Sequence, residues 1–140
     1  MAARKKATKK TSPLKGRMKT PPFPNYPQWS SAKFFGFLRS GLRATYNKYP
    51  PKFSVENKAK RKYEGPDKRI KWEYECNECK GWFLKKDISV DHAVPAGSLR
   101  TWDDVQGFCE RLFCSEEDLQ VLCSSCHGRK TLAERSNKDD

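Results

Sequence analysis

Two short runs hold the side chains able to do chemistry. One is Val90-Asp91-His92. The other is Leu122-Cys123-Ser124-Ser125-Cys126-His127-Gly128-Arg129-Lys130-Thr131. Upstream, Cys76-x-x-Cys79 supplies a second pair of thiols spaced like Cys123-x-x-Cys126. Each CxxC can wrap one side of a metal, so Cys76, Cys79, Cys123 and Cys126 together suit a tetrahedral structural Zn²⁺. Zinc accounts for the thiols. It does not account for an Asp-His pair between the two halves, or for a His directly after the last thiol. The chain has two histidines, and both fall in these runs. His92 fits a general base, because imidazole titrates near neutral pH. Neighbours on a strand point to opposite faces, so Asp91 and His92 can do separate jobs. The other two cysteines, Cys109 and Cys114, are assigned to no metal.

The order and spacing of Asp91-His92, Asp118-Leu119-Gln120-Val121-Leu122-Cys123 and Cys126-His127-x-Arg129-Lys130 resemble the signature of the HNH endonucleases. The resemblance covers the last half of the chain and extends to small bacteriophage-encoded members. It implies a ββα-metal fold, in which two antiparallel strands and a helix grip one divalent cation. It also implies metal-dependent hydrolysis of DNA phosphodiester bonds, leaving 5′-phosphate and 3′-hydroxyl ends. On that resemblance His92 takes the proton from the attacking water, while Asp91 and His127 hold the catalytic ion. Two protein ligands leave an open shell that suits Mg²⁺, Mn²⁺ or Ni²⁺. Arg129 and Lys130 are expected at the phosphate, Arg as a fork and Lys as a point charge. One departure is Asp118, which stands where the family has an Asn that braces the loop carrying the base. Asp can accept the bracing hydrogen bond but cannot donate as an amide does, and it would place a negative charge near His92. One active site cuts one strand, so a monomer nicks, and a homodimer or two successive events would break both strands.

These side chains need a scaffold. Residues 70–84 alternate, with Ile70, Trp72 and Tyr74 against Lys71, Glu73 and Glu75, which is strand patterning. Cys76 to Gly81 then turns as a zinc knuckle, and Trp82 and Phe83 return as a strand. Residues 87–92 predict a short strand ending in Asp91-His92. Thr101 to Phe113 predicts a helix, with Thr101 and Asp104 as its capping box. Leu119 to Leu122 predicts the second short strand, and Cys126 to Glu134 the last helix, with fraying over Ser136 to Asp140.

The first half reads differently. Residues 1–20 hold eight basic residues and no acid, and predict a disordered arm. Four prolines over 21–28 predict an extended strap pinned by Phe23 and Tyr26. Residues 30–48 predict a helix capped by Ser30 or Ser31 and stopped by Pro50-Pro51. Its apolar face carries Phe34, Phe35, Leu38, Leu42 and Tyr46, and its basic face Arg39 and Arg43, one turn apart. Residues 54–63 predict a shorter helix with Ser54 as cap and Lys58, Lys60, Arg61 and Lys62 making it basic. Arg39, Arg43, Lys60 and Arg61 are thus expected, with Arg129 and Lys130, to meet DNA phosphates.

Charge follows this division. Residues 1–72 hold 20 Lys and Arg against 3 Asp and Glu, a net +17. Residues 73–140 hold 9 against 14, a net −5. A basic arm on an acidic metal-binding module suits a polyanion such as DNA. A hydrophobic fraction of 36% predicts a small core that a metal staple would help. No stretch is apolar enough to span a membrane or to serve as a secretory signal, so the expected compartment is the cytoplasm, the host's if phage-encoded. The reading is an α+β protein: a basic, Pro-rich arm over 1–29, a basic helical DNA-binding extension over 30–69, and an HNH nuclease domain with its four-cysteine zinc site over 70–136. Two other readings compete with it. One is a non-catalytic, zinc-stabilised DNA-binding module. The other is an accessory protein of a phage DNA-packaging machine, partnered with terminase proteins.

Overall fold

The computed structural model describes residues 20–137. The expected basic arm up to residue 19, and residues 138–140 of the frayed end, lie outside them.

The proline-rich strap folds back on itself. β1 (Pro22–Phe23) and β2 (Tyr26–Ser30) pair antiparallel, with Pro22 opposite Ser30. Phe23 is buried, its ring stacked 3.8 Å from that of Phe34. Tyr26 does not pin the strap to the body. It is exposed, edge-on to Trp29 at 5.7 Å.

Helix α1 (Ser31–Tyr46) follows directly, with the Ser30 hydroxyl accepting from the Lys33 N–H at 3.2 Å. Phe35 and Tyr46 are buried, while Arg39 and Arg43 are exposed along the flank of that face, Arg43 with its guanidinium carbon 5.9 Å from the centroid of the Phe108 ring. Pro50-Pro51 comes after the end of α1 but also opens a second helix, α2 (Pro50–Ala59). Proline suits a first helical turn, whose N–H groups need no intrahelical partner, and its φ is preset. Ser54 therefore lies inside α2 and is not its cap.

The expected helix over 54–63 stops at Ala59, and Lys60–Lys62 continues as strand β3. It pairs antiparallel with β4 (Trp72–Glu75), which pairs in turn with β5 (Trp82–Phe83). The reason is a partner distant in sequence. Arg61 stands opposite Glu73 and its Nε lies 2.7 Å from the carboxylate, a cross-strand charge pair that a helix would forfeit.

The second half is a strand pair with a helical insertion. β6 (Ile88–His92) pairs antiparallel with β7 (Leu119–Cys123), Asp91 opposite Gln120 and His92 opposite Leu119. Between them runs α3 (Asp103–Leu112). The Asp104 carboxylate accepts from the N–H groups of Arg100 at 2.9 Å and Thr101 at 3.0 Å, the reach-back half of the expected capping box. These bonds hold it below the usual carboxylate range. α4 (Ser124–Ser136) starts as soon as β7 ends, two residues before the expected start at Cys126. Cys126 and His127 thus stand at the beginning of this helix.

Phe35, Tyr46, Ala96, Leu99, Phe108, Leu112 and Leu119 form the main core. α1 from the basic half and α3 from the acidic half thus bury against each other. A smaller cluster gathers Cys76, Leu122, Cys123 and Cys126, with Phe83 against it. The described residues make an α+β fold, and no helix among them is long and apolar enough to cross a membrane.

Phe108 is fully buried where α1 and α3 meet. Phe108→Ala is expected to cost about 3–5 kcal/mol of unfolding free energy, measured by urea denaturation.

Candidate functional site

The hairpin of β4 and β5 carries Cys76 and Cys79 in its turn. The Cys76 N–H donates to the Gly81 carbonyl and the Lys80 N–H to the Cys76 carbonyl, both at 2.9 Å. Lys80 takes a left-handed φ of 61° to close the turn. Beside it, a Cβ on Gly81 would lie 2.9 Å from the Phe83 ring. β7 and α4 deliver Cys123 and Cys126 from the other side. The four sulfurs lie within 4.8 Å of one another and could hold a metal ion such as zinc. The Cys123 N–H donates to Cys76 Sγ at 3.3 Å, and the Asn77 N–H donates to the Val121 carbonyl at 2.8 Å, so backbone joins the two halves as well.

The thiols fit a metal by their electrostatics too. Burial pushes the Cys76 thiol up, but the N–H groups of Cys123, Cys79 and Glu78 outweigh it and bring it down to about 6. Burial pushes Cys126 up to about 11, with Arg129 opposing and the neighbouring thiols adding to the rise. Sulfurs this close cannot all ionise unless a cation compensates them. Cys109 and Cys114 lie outside the cluster, and Cys114 packs against the main core.

A second constellation stands beside the first. Asp91 on β6 and His127 near the start of α4 face each other, with Asp91 Oδ1 3.6 Å from His127 Nε2. His92, the next residue, uses a different set of partners. Its Nε2 lies 2.8 Å from the Leu112 carbonyl, and its ring 4.8 Å from that of Tyr46. A carbonyl oxygen only accepts, so Nε2 carries the hydrogen. A neutral imidazole then keeps its lone pair on Nδ1. Strand alternation thus separates the two side chains as the sequence implied.

The basic residues after His127 have partners within the protein. Arg129 donates to Cys126 Sγ at 3.1 Å, on the thiol cluster. Lys130 Nζ lies 2.5 Å from Asp91 Oδ2 and 3.0 Å from Glu134, and also donates to the His92 carbonyl. Burial lowers the Lys130 ammonium, but its bonds to the two carboxylates raise it further, so it stays charged. Lys130 is thus taken by acceptors from β6 and α4, while Arg129 stays exposed and gives one N–H to the thiol cluster. Arg39 and Arg43 remain exposed on α1. Lys60 Nζ stands 4.5 Å from the centroid of Trp72. Arg61 is taken by Glu73 and by Trp82, whose ring centroid is 3.7 Å from the guanidinium carbon. The Trp82 indole thus holds an arginine.

Asp118 braces the segment after His92 through its backbone. Its carbonyl accepts from the Ala93 N–H at 2.8 Å, and its exposed carboxylate takes no hydrogen bond among the described residues. A main-chain brace of this kind does not depend on the difference between Asp and Asn.

Two residues at the site went unassigned in the sequence. Gln120, opposite Asp91 in the strand pair, brings Nε2 to 3.4 Å of Asp91 Oδ2 and accepts from Asn77 Nδ2 at 3.1 Å. The signal for it was register: a residue paired with Asp91 on the neighbouring strand. Tyr46 read as core, and it is buried, yet its ring lies on His92. Burial foremost, with Cys114 and Asp91 nearby, pushes its hydroxyl up to about 12. Comparison with protein-family models, with curated proteins and with solved structures finds no match to this chain.

Metal analysis of the purified protein is expected to give about one zinc per chain. Cys123→Ser should lose it, together with the cooperative thermal transition, whereas His92→Ala should keep both.

Proposed function

We infer that this chain is a metal-dependent endonuclease of the HNH type, which hydrolyses DNA phosphodiester bonds. The observation that carries this reading is the placing of three residues by one strand pair and the helix after it. Asp91 and His127 converge, while His92, adjacent in sequence, points to separate partners. A strand pair followed by a helix is the arrangement that the ββα-metal resemblance implies.

Asp91 is divided between two tasks. Lys130 and Gln120 both sit on Oδ2, which leaves Oδ1 toward His127. Asp91 Oδ1 and His127 would hold a divalent cation, Mg²⁺, Mn²⁺ or Ni²⁺, through hard oxygen and imidazole donors. When bound it supplies positive charge for the phosphate and the leaving oxygen. His92 Nδ1 is the group able to take a proton from the attacking water. The Leu112 carbonyl holds the ring in that tautomer. It lies at the C-terminal end of α3, where the helix dipole favours the positive charge that the imidazole gains. Arg39 and Arg43 remain exposed for the DNA backbone, and their contribution would be salt-dependent. A zinc ion held by the four cysteines would have the role of a staple, holding β7 and α4 to the β4–β5 hairpin.

One observation favours a second reading, the non-catalytic DNA-binding module. The Lys130 ammonium already neutralises Asp91 from inside the protein. An internal ammonium on Asp91, though shared with Glu134, lowers the need of this site for a further cation.

Conversion of supercoiled plasmid to open circles separates the two readings. Wild type with Mg²⁺, Mn²⁺ or Ni²⁺ is expected to nick, and folded His92→Ala to nick about 10²–10⁴-fold more slowly. Wild type that binds plasmid but nicks it with none of the three ions would leave the binding module as the better account. Lys130→Met removes a positive charge from Asp91. It is expected to tighten Mn²⁺ binding on the order of tenfold, read by electron paramagnetic resonance titration.

A further inference from the structure

A second surface, on the β3–β4–β5 sheet, answers to different chemistry. Register puts Lys60 opposite Tyr74 and Lys62 opposite Trp72, so these four side chains share one face, with Arg61 and Glu73 on the other. Tyr74 is buried beneath this face, while Trp72 stays 44% exposed. Two adjoining hollows of about 380 and 430 Å³ meet at Ile70, Lys71 and Trp72, each in the range of small-ligand clefts. Lys86 lines one of them, and Lys62 and Lys68 line the other.

The charges here are available. Lys85 in the same groove is held by Glu56 at 2.6 Å. Lys62, Lys68, Lys71 and Lys86 are exposed and make no ion pair among the described residues. Of the nearby acids, Asp67 takes Arg69 at 3.1 Å and Glu73 takes Arg61, while Glu64 and Asp87 make no ion pair among the described residues, so lysines outnumber free acids here. Trp72 carries the Lys60 ammonium over its ring, yet part of the indole still faces water among lysines that repel one another, which is costly to keep for stability alone.

We propose that this groove binds an unpaired stretch of nucleic acid, with a base stacked on Trp72 and the flanking phosphates met by Lys62, Lys68, Lys71 and Lys86. Every base has a π-face, and a stack between base and indole requires that the base be out of its pair. Duplex phosphates would meet the lysines but leave Trp72 idle. The proposal rests on the nucleic-acid part of the reading above, not on hydrolysis. It narrows the substrate to DNA or RNA with a single-stranded segment, such as a frayed end, a gap or a branch.

The test is fluorescence anisotropy with zinc-loaded His92→Ala protein and no added divalent cation, so that loss of the cleavage reading would leave the result unaffected. Labelled oligothymidylate and a labelled duplex are the probes. Trp72→Ala is expected to weaken oligothymidylate binding about tenfold and duplex binding by less than about twofold, while Trp72→Phe stays within about twofold on both. Lys62→Gln with Lys71→Gln, both at exposed positions, is expected to reduce the salt-dependence slope for oligothymidylate by about 1.4. Equal losses on both probes with Trp72→Ala, or no loss on either, would overturn the proposal. So would an unchanged salt slope in the lysine pair. Displacement of oligothymidylate by polyglutamate as readily as by unlabelled oligothymidylate would assign the groove to an acidic protein segment instead.

Discussion

Four sulfurs within 4.8 Å of one another would repel as thiolates unless a cation lies among them. Much of the second half depends on how that crowding is relieved. Cys123 ends β7, and Cys126 stands in the first turn of α4, so whatever holds the thiols also fixes where strand gives way to helix. His127 comes one residue after Cys126 and inherits its position from that junction. On the other side, Cys76 and Cys79 tie the β4–β5 hairpin to the same point, and Asn77 carries the connection on to Gln120 and Asp91. The thiol cluster and the Asp91–His127 pair are therefore one connected structure with two ends.

The second organising constraint is alternation along β6. Consecutive residues on a strand serve opposite sides, and Asp91 and His92 use this fully. Asp91 meets His127 and Lys130 from α4 and Gln120 from the paired strand. His92 turns to α3 and to the Tyr46 ring of α1, which links the core to the site. The basic half of the chain thus reaches the constellation through Tyr46 and packing, besides whatever charge it presents to a polyanion.

Local signals in the sequence carried much of this. The CxxC pairs, the strand ending in Asp91-His92, the short strand before Cys123 and the Ser30 cap each depend on neighbours in the chain, and each was legible. The misses share a cause. Pro50-Pro51 reads as a stop, but proline is equally at home in a first helical turn, and only the residues after it decide between the two. Lys60 to Lys62 have helical company on one side, yet Glu73, twelve residues after Arg61, recruits them to a sheet. Arg129 and Lys130 look like free cations until β6 and the thiol cluster supply their acceptors. Gln120 and Tyr46 matter through register and through packing across the core, neither of which a linear pattern displays. The candidate residues were picked out by order and spacing, and their partners required the fold.

The bond from His92 to the Leu112 carbonyl carries a consequence for motion. The last carbonyls of a helix have no intrahelical partner. At the end of α3 two successive ones are met from elsewhere: Leu112 by His92 and Phe113 by the Tyr49 hydroxyl at 3.1 Å. Helix ends open locally far more readily than the molecule unfolds. The last turn of α3 is an exception, because the Leu112 side chain is fully buried in the main core and its carbonyl cannot leave His92 unless that core opens. The orientation of the imidazole is therefore tied to the stability of the core itself, and the site would keep it up to the melting of the whole protein.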